Sequence, residues 1–125
     1  MIIYSFDVGD NTGICIAGVE SESIVLTTIP VSHLSSFLNL IVSPCEVIVE
    51  RMPKYNNTLE LKMALNSIEV YCEEFNIPIT LISPSTWKPI AKAQKWMSSL
   101  AKTDHELDAY CLYRYYRKFI RRDLQ

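Results

Sequence analysis

Apolar residues open the chain in three short runs, at positions 2–8, 14–20 and 23–29. The links between them, Gly9-Asp10-Asn11-Thr12-Gly13 and Ser21-Glu22, have hairpin length, which implies antiparallel pairing. The period then changes. Leu34, Phe37, Leu38 and Ile41 recur at helical spacing over 31–41, and Pro44 closes that segment. Glu46-Val47-Ile48-Val49-Glu50 predicts a fourth strand, followed by a polar loop over 51–57. Asn57 or Thr58 can cap a helix reaching Phe75, with Leu61, Leu65, Ile68, Cys72 and Phe75 along one face. Residues 79–82 predict a fifth strand. Pro84-Ser85 opens a loop and a short helix through Trp87 and Trp96. A last helix runs from Thr103 to Arg122, uninterrupted by Pro or Gly.

The order β-β-β-α-β-α-β-α predicts an α/β fold. Its sheet is mixed and five-stranded, with three antiparallel strands, then β-α-β-α, and helices on both faces. The 125 residues suit one domain spanning 1–125, without repeats or an interdomain linker. No apolar run is long enough to predict a membrane span, and the start MIIYSFDVGD lacks a basic n-region, so no signal peptide is expected. Cys15, Cys45, Cys72 and Cys111 form no CxxC pair and sit among apolar residues, as reduced core cysteines of a cytoplasmic protein would.

The net charge of −2 hides an uneven distribution. Ten acids and three bases lie up to Ser83; nine bases and four acids follow it, three of those acids being Asp104, Glu106 and Asp108. A basic final third around an acidic knot is consistent with a phosphate-binding surface enclosing a cation site, though charge alone favours ordinary solvated helix charge. Arg114, Arg117, Lys118, Arg121 and Arg122 form a stripe that could track a nucleic-acid backbone or complement the helix C-terminus. Trp87 and Trp96 read as core or platform residues.

Asp7 and Glu50 hold equivalent places, each ending an apolar strand before a loop. If the fourth strand returns parallel to the first, both acids reach the carboxyl edge of the sheet, where α/β sites lie. Two packed carboxylates repel unless a cation or a shared proton compensates, and hard oxygen ligands suit Mg²⁺ or Mn²⁺. In Thr103-Asp104-His105-Glu106-Leu107-Asp108, His105 and Asp108 share a helix face, and Asp104 can converge with Asp108. Each element alone suits a structural role; the three together point to a metal-dependent site. All three glycines, Gly9, Gly13 and Gly18, follow Asp7 closely. Gly9 would turn the chain after Asp7, and Gly13 would tighten the hairpin and leave room for a phosphate or metal.

In this arrangement FDVGDNTG, VIVERMPKYNN, SPSTWKPIAKAQK and DHELDAYCLYRYY resemble, in order, the motifs of the RuvC-type Holliday junction resolvases of the RNase H-like superfamily. The resemblance spans nearly the whole chain, in a version shorter than bacterial members, of the kind that phages carry. It implies a structure-selective endonuclease for branched DNA, working as a homodimer with the helix from Thr58 as the dimer surface. Asp7, Glu50 and Asp108 would bind two Mg²⁺ ions, with Mn²⁺ able to substitute. His105 would be a fourth ligand or a proton-handling group, with Asp104 beside it. Two ions about 4 Å apart would activate water and stabilise the leaving 3′-oxygen, giving 5′-phosphate ends. Lys54, Lys88, Lys92 and Lys95 would hold phosphates, and Asn57 matches an Asn that follows the family's Glu. Pro53 stands where the family often has an aromatic wedge, and Tyr55 is its candidate replacement. The alternatives on the same fold are an RNA-processing nuclease of the YqgF type and a non-catalytic nucleic-acid-binding module. A sugar-kinase or actin-like ATPase would need a second domain for which the chain is too short.

Overall fold

The computed structural model describes residues 1–51 and 58–124. Five strands form one sheet in the order β3-β2-β1-β4-β5. They are β1 (Ile2–Asp7), β2 (Asn11–Gly18), β3 (Ile24–Pro30), β4 (Cys45–Glu50) and β5 (Ile79–Ile82). β1, β2 and β3 pair antiparallel as their short links require, and β4 and β5 add parallel to β1. The mixed sheet expected from the sequence is therefore present.

Alternation along β1 explains the two layers. Tyr4 and Phe6 point to one face, where they pack with Val47, Val49, Leu34, Leu38, Ala64, Ile68 and Cys72. That face is covered by α1 (Leu34–Leu38) and α2 (Leu59–Glu74). Ile3 points to the other face and joins Cys15, Ile48, Trp87, Ala109 and Leu112. That face is covered by α3 (Pro84–Gln94) and α4 (Asp104–Tyr115). Ser5 shares the parity of Ile3, and its buried hydroxyl donates to Ala109 O at 2.8 Å, tying β1 to α4. The four cysteines are buried and unpaired.

Several boundaries differ from those expected. β2 begins at Asn11 because Asn11 and Thr12 pair with Pro30 and Ile29 of β3, beyond the last β1 pair, Asp7 with Gly13. The segment after Pro30 is a 3₁₀ turn, Val31–His33, leading into a five-residue α-helix. Pro84 lies inside α3 as its first residue, where a missing N–H costs nothing, and the helix stops before Trp96 at a left-handed Lys95. α4 gives way to a π turn over Tyr116–Ile120, so the final helix is α-helical only to Tyr115. On α2 the buried residues are Ala64, Ile68 and Cys72, whereas Phe75 is exposed just past the helix end.

Candidate active site

Asp7 is the last residue of β1 and keeps the parity of Ile3 and Ser5, so it faces α4. Glu50 is the last residue of β4 and keeps the parity of Ile48. The parallel register runs to Phe6 opposite Val49, which leaves Asp7 and Glu50 as neighbours one position further on. The fold thus brings together the two strand-end acids that the sequence singled out.

α4 supplies the rest. Its N-cap is Thr103, whose hydroxyl accepts from Glu106 N at 3.1 Å, while the buried Glu106 carboxylate accepts from Lys102 N at 3.1 Å and Thr28 Oγ1 at 2.6 Å. Together these bonds cap the start of α4 and anchor it to β3. Glu106 therefore holds the helix start, and the neighbouring His105 and Asp108 are presented to the sheet edge. His105 Nδ1 lies 3.1 Å from Asp7 Oδ2.

Gly13 makes this approach possible. A Cβ at position 13 would lie 2.1 Å from the His105 carbonyl oxygen and 2.9 Å from Glu106 N. The space at Gly13 is filled by the backbone of α4, which corrects the expectation that it admits a phosphate or metal. None of the glycines has a positive φ, so the Gly9 turn does not depend on left-handed backbone. A Cβ at Gly9 would meet Asn11 O at 3.2 Å and His105 Cε1 at 3.6 Å, which keeps that position small beneath the imidazole.

Electrostatics couple the three carboxylates. Asp7 is only 8% exposed, and burial raises its pKa; the His105 hydrogen bond opposes the rise and the Asp108 charge adds to it. Glu50 is pushed up to about 7, first by burial and then by the Asp7 charge. Asp108 is also raised, mainly by burial, with Asp104 contributing repulsion. The ammonium of Lys88 acts on all three in the opposite sense. Burial and mutual repulsion outweigh Lys88 in raising all three, a condition that favours a bound cation.

Two residues have roles that sequence reasoning did not assign. Trp87 buries its ring in the α3–α4 core and donates its indole N–H to Glu50 Oε2 at 2.8 Å. That bond fixes one carboxylate oxygen. A buried tryptophan requires such a partner, and the strand-end acid of a neighbouring strand was the available acceptor. Lys88, expected on a phosphate-binding surface, stands close enough to neutralise the acids in part. With Pro84, Ser85, Pro89 and Lys92 it lines a cavity of 500 Å³ on the exposed side of α3.

Asp104 is exposed at the first turn of α4 and acts on the cluster through its charge on Asp108. Lys92 and Lys95 are exposed. Pro53, Lys54, Tyr55 and Asn57 lie outside the described residues. Among the described residues, no group of three or more His, Cys, Asp or Glu side chains is arranged to hold a metal ion. The donor set nevertheless fits Mg²⁺ or Mn²⁺ by its chemistry: three carboxylates in a partly desolvated cleft, with Glu50 oriented by an indole.

No protein-family model matches the chain, and no curated protein sequence does. Solved structures do. RuvC of T. thermophilus in complex with a Holliday junction substrate superposes with a TM-score of 0.71 at 16% identity, covering 96% of each chain. A further T. thermophilus RuvC structure gives 0.69 at 16% identity, over 94% of this chain and 96% of that one. The yeast mitochondrial Holliday junction resolvase Ydc2 gives 0.50 at 15% identity, over 97% of this chain and 83% of that one. At such identities the likeness concerns the backbone alone. With its strand order, its helices on both faces and its coverage from end to end, the chain has the RNase H-like fold of the RuvC-type resolvases.

Proposed function

We propose that the protein is a divalent-metal-dependent endonuclease that cuts branched DNA at four-way junctions. The observation that carries this reading is the convergence of Asp7, Glu50 and Asp108 at the carboxyl edge of a sheet shared with junction resolvases. Asp7, Glu50 and Asp108 would hold Mg²⁺ or Mn²⁺, two ions per site. When bound, such ions lower the pKa of water and neutralise charge at the phosphodiester.

The chain's own residues do the rest. Trp87 holds Glu50 Oε2 and leaves Oε1 for the cation. His105 Nδ1, 3.1 Å from Asp7 Oδ2, would orient that carboxylate. Lys88, whose charge reaches the three acids, and Lys92, which lines the same α3 cavity, would attract the scissile strand's phosphates.

A homodimer would present one site to each of two symmetric strands. Leu59, Met63 and Val70 support it: they are 73%, 61% and 51% exposed and recur on the outer side of α2, away from the buried Ala64 and Ile68. A second copy of the same helix is the matching apolar partner.

The test is cleavage of a labelled four-way junction in Mg²⁺ and in Mn²⁺, beside linear duplex, a flap and an RNA duplex. Paired symmetric nicks in the junction are expected. Cleavage confined to the flap or the RNA would overturn the junction assignment, and cleavage of nothing would overturn the nuclease.

A further inference from the structure

The basic stripe of the last helix separates into two groups once packed. Arg121 is engaged internally. It donates to Glu46, buried near the amino end of β4, and reaches Asp123 at 2.8 and 2.9 Å. Tyr116 donates to the same Glu46. Arg114, Arg117 and Lys118 line a cavity of 410 Å³ with Tyr110 and Tyr113, and among the described residues no Asp or Glu lines it. In a chain of net charge −2, this concentration of positive charge is a local feature.

The arginines are held by aromatic faces. The Arg114 guanidinium lies 5.0 Å from the Trp96 ring and 5.9 Å from Tyr110. Arg117 donates to Tyr113 Oη at 2.9 Å and to Leu124 O. Stacking of this kind fixes the plane of a guanidinium while keeping its charge, which suits bidentate contact with phosphate oxygens.

The cavity does not belong to the carboxylate cluster. At about 100° and 1.5 Å per residue, Arg114 lies roughly 120° around α4 from Asp108 and about 9 Å further along its axis. The cavity is therefore displaced from the acids both around and along the helix. A straight duplex crosses this surface along one line, whereas branched DNA has arms that diverge.

We propose that this cavity is a second phosphate-binding locus, holding the backbone of a DNA arm other than the one being cut. The proposal rests on the branched-DNA reading above and adds to it the origin of discrimination between branched and linear substrates.

The experiment compares the wild-type chain with an Arg114→Gln/Lys118→Gln double variant. Both side chains are exposed, and circular dichroism melts check that the fold is kept. Binding to an immobile four-way junction and to linear duplex is read by fluorescence anisotropy in EDTA, from about 50 to 200 mM salt. The wild type is expected to prefer the junction. The variant should lose roughly tenfold in junction affinity, with a log–log salt slope smaller by about 2, while linear binding is unchanged. An unchanged junction slope in the variant would overturn the second locus and leave the nuclease reading standing. Equal losses on both substrates would overturn its assignment to a separate arm. A wild type that does not prefer the junction would overturn the branched-DNA reading and the locus with it.

Discussion

Replacing Glu50 with glutamine should stabilise the metal-free protein at alkaline pH and remove its response to divalent cations. The Glu50 pKa rises from 4.5 to about 7, chiefly through burial and then through the Asp7 charge. A raised carboxyl pKa means that folding favours the protonated form. The penalty is absent below about pH 4.5, grows as pH rises towards 7, and is complete above it. The full shift corresponds to about 3 kcal/mol. Solvent on the open side of the cleft, together with the loss of a charge-assisted bond from Trp87, reduces the gain to about 1–2 kcal/mol. Glutamine retains an oxygen to accept that indole N–H. In EDTA at pH 8.5 the variant should therefore melt several degrees above wild type, with the difference vanishing at pH 4. Adding Mn²⁺ should raise the wild-type melting temperature and leave the variant almost unmoved. Thermal melts at the two pH values, with EDTA and with Mn²⁺, decide the matter. Equal or lower stability of the variant in EDTA at pH 8.5 would refute the reasoning.

Three further outcomes follow from the geometry. Gly13→Ala places a methyl 2.1 Å from the His105 carbonyl and should cost about 3 kcal/mol or more in urea unfolding, whereas Gly9→Ala, with its nearest contact at 3.2 Å, should cost under about 1 kcal/mol. Trp87→Phe removes the indole bond to Glu50 and should weaken Mn²⁺ binding about tenfold or more by calorimetry, while the circular dichroism spectrum stays folded. Thr103→Ala deletes the α4 cap and the 3.0 Å contact with Thr28 Oγ1, and should lower stability by about 1 kcal/mol with hydrogen exchange rising in the first turn.

The sheet was legible because its side chains alternate and its links are short. The Asp7–Glu50 pairing was legible because both acids end apolar strands. What sequence periodicity misses is contact made by backbone or across elements. Gly13 serves the α4 backbone, a partner nearly a hundred residues away, and nothing local distinguishes it from a turn glycine. The Trp87 bond needed the register of β4 and β5 before it could be drawn. The start of β2 at Asn11 follows from backbone pairing with β3 that polar side chains conceal. In the basic stripe, helical spacing treats Arg114 and Arg121 alike. The π turn at Tyr116 and the buried Glu46 separate their roles, drawing Arg121 inward and leaving Arg114 on an aromatic platform. Pro84 at the first position of α3 was readable as a helix start, since proline favours that position.

The central claim is that Asp7, Glu50 and Asp108 together make a divalent-cation site. Calorimetric titration of Mn²⁺ into the wild-type protein and into Asp7→Asn at pH 8 tests it most directly. The account predicts saturable binding of two ions to the wild type and its loss in a variant that remains folded. No binding to the wild type, or binding that Asp7→Asn leaves intact, would contradict it.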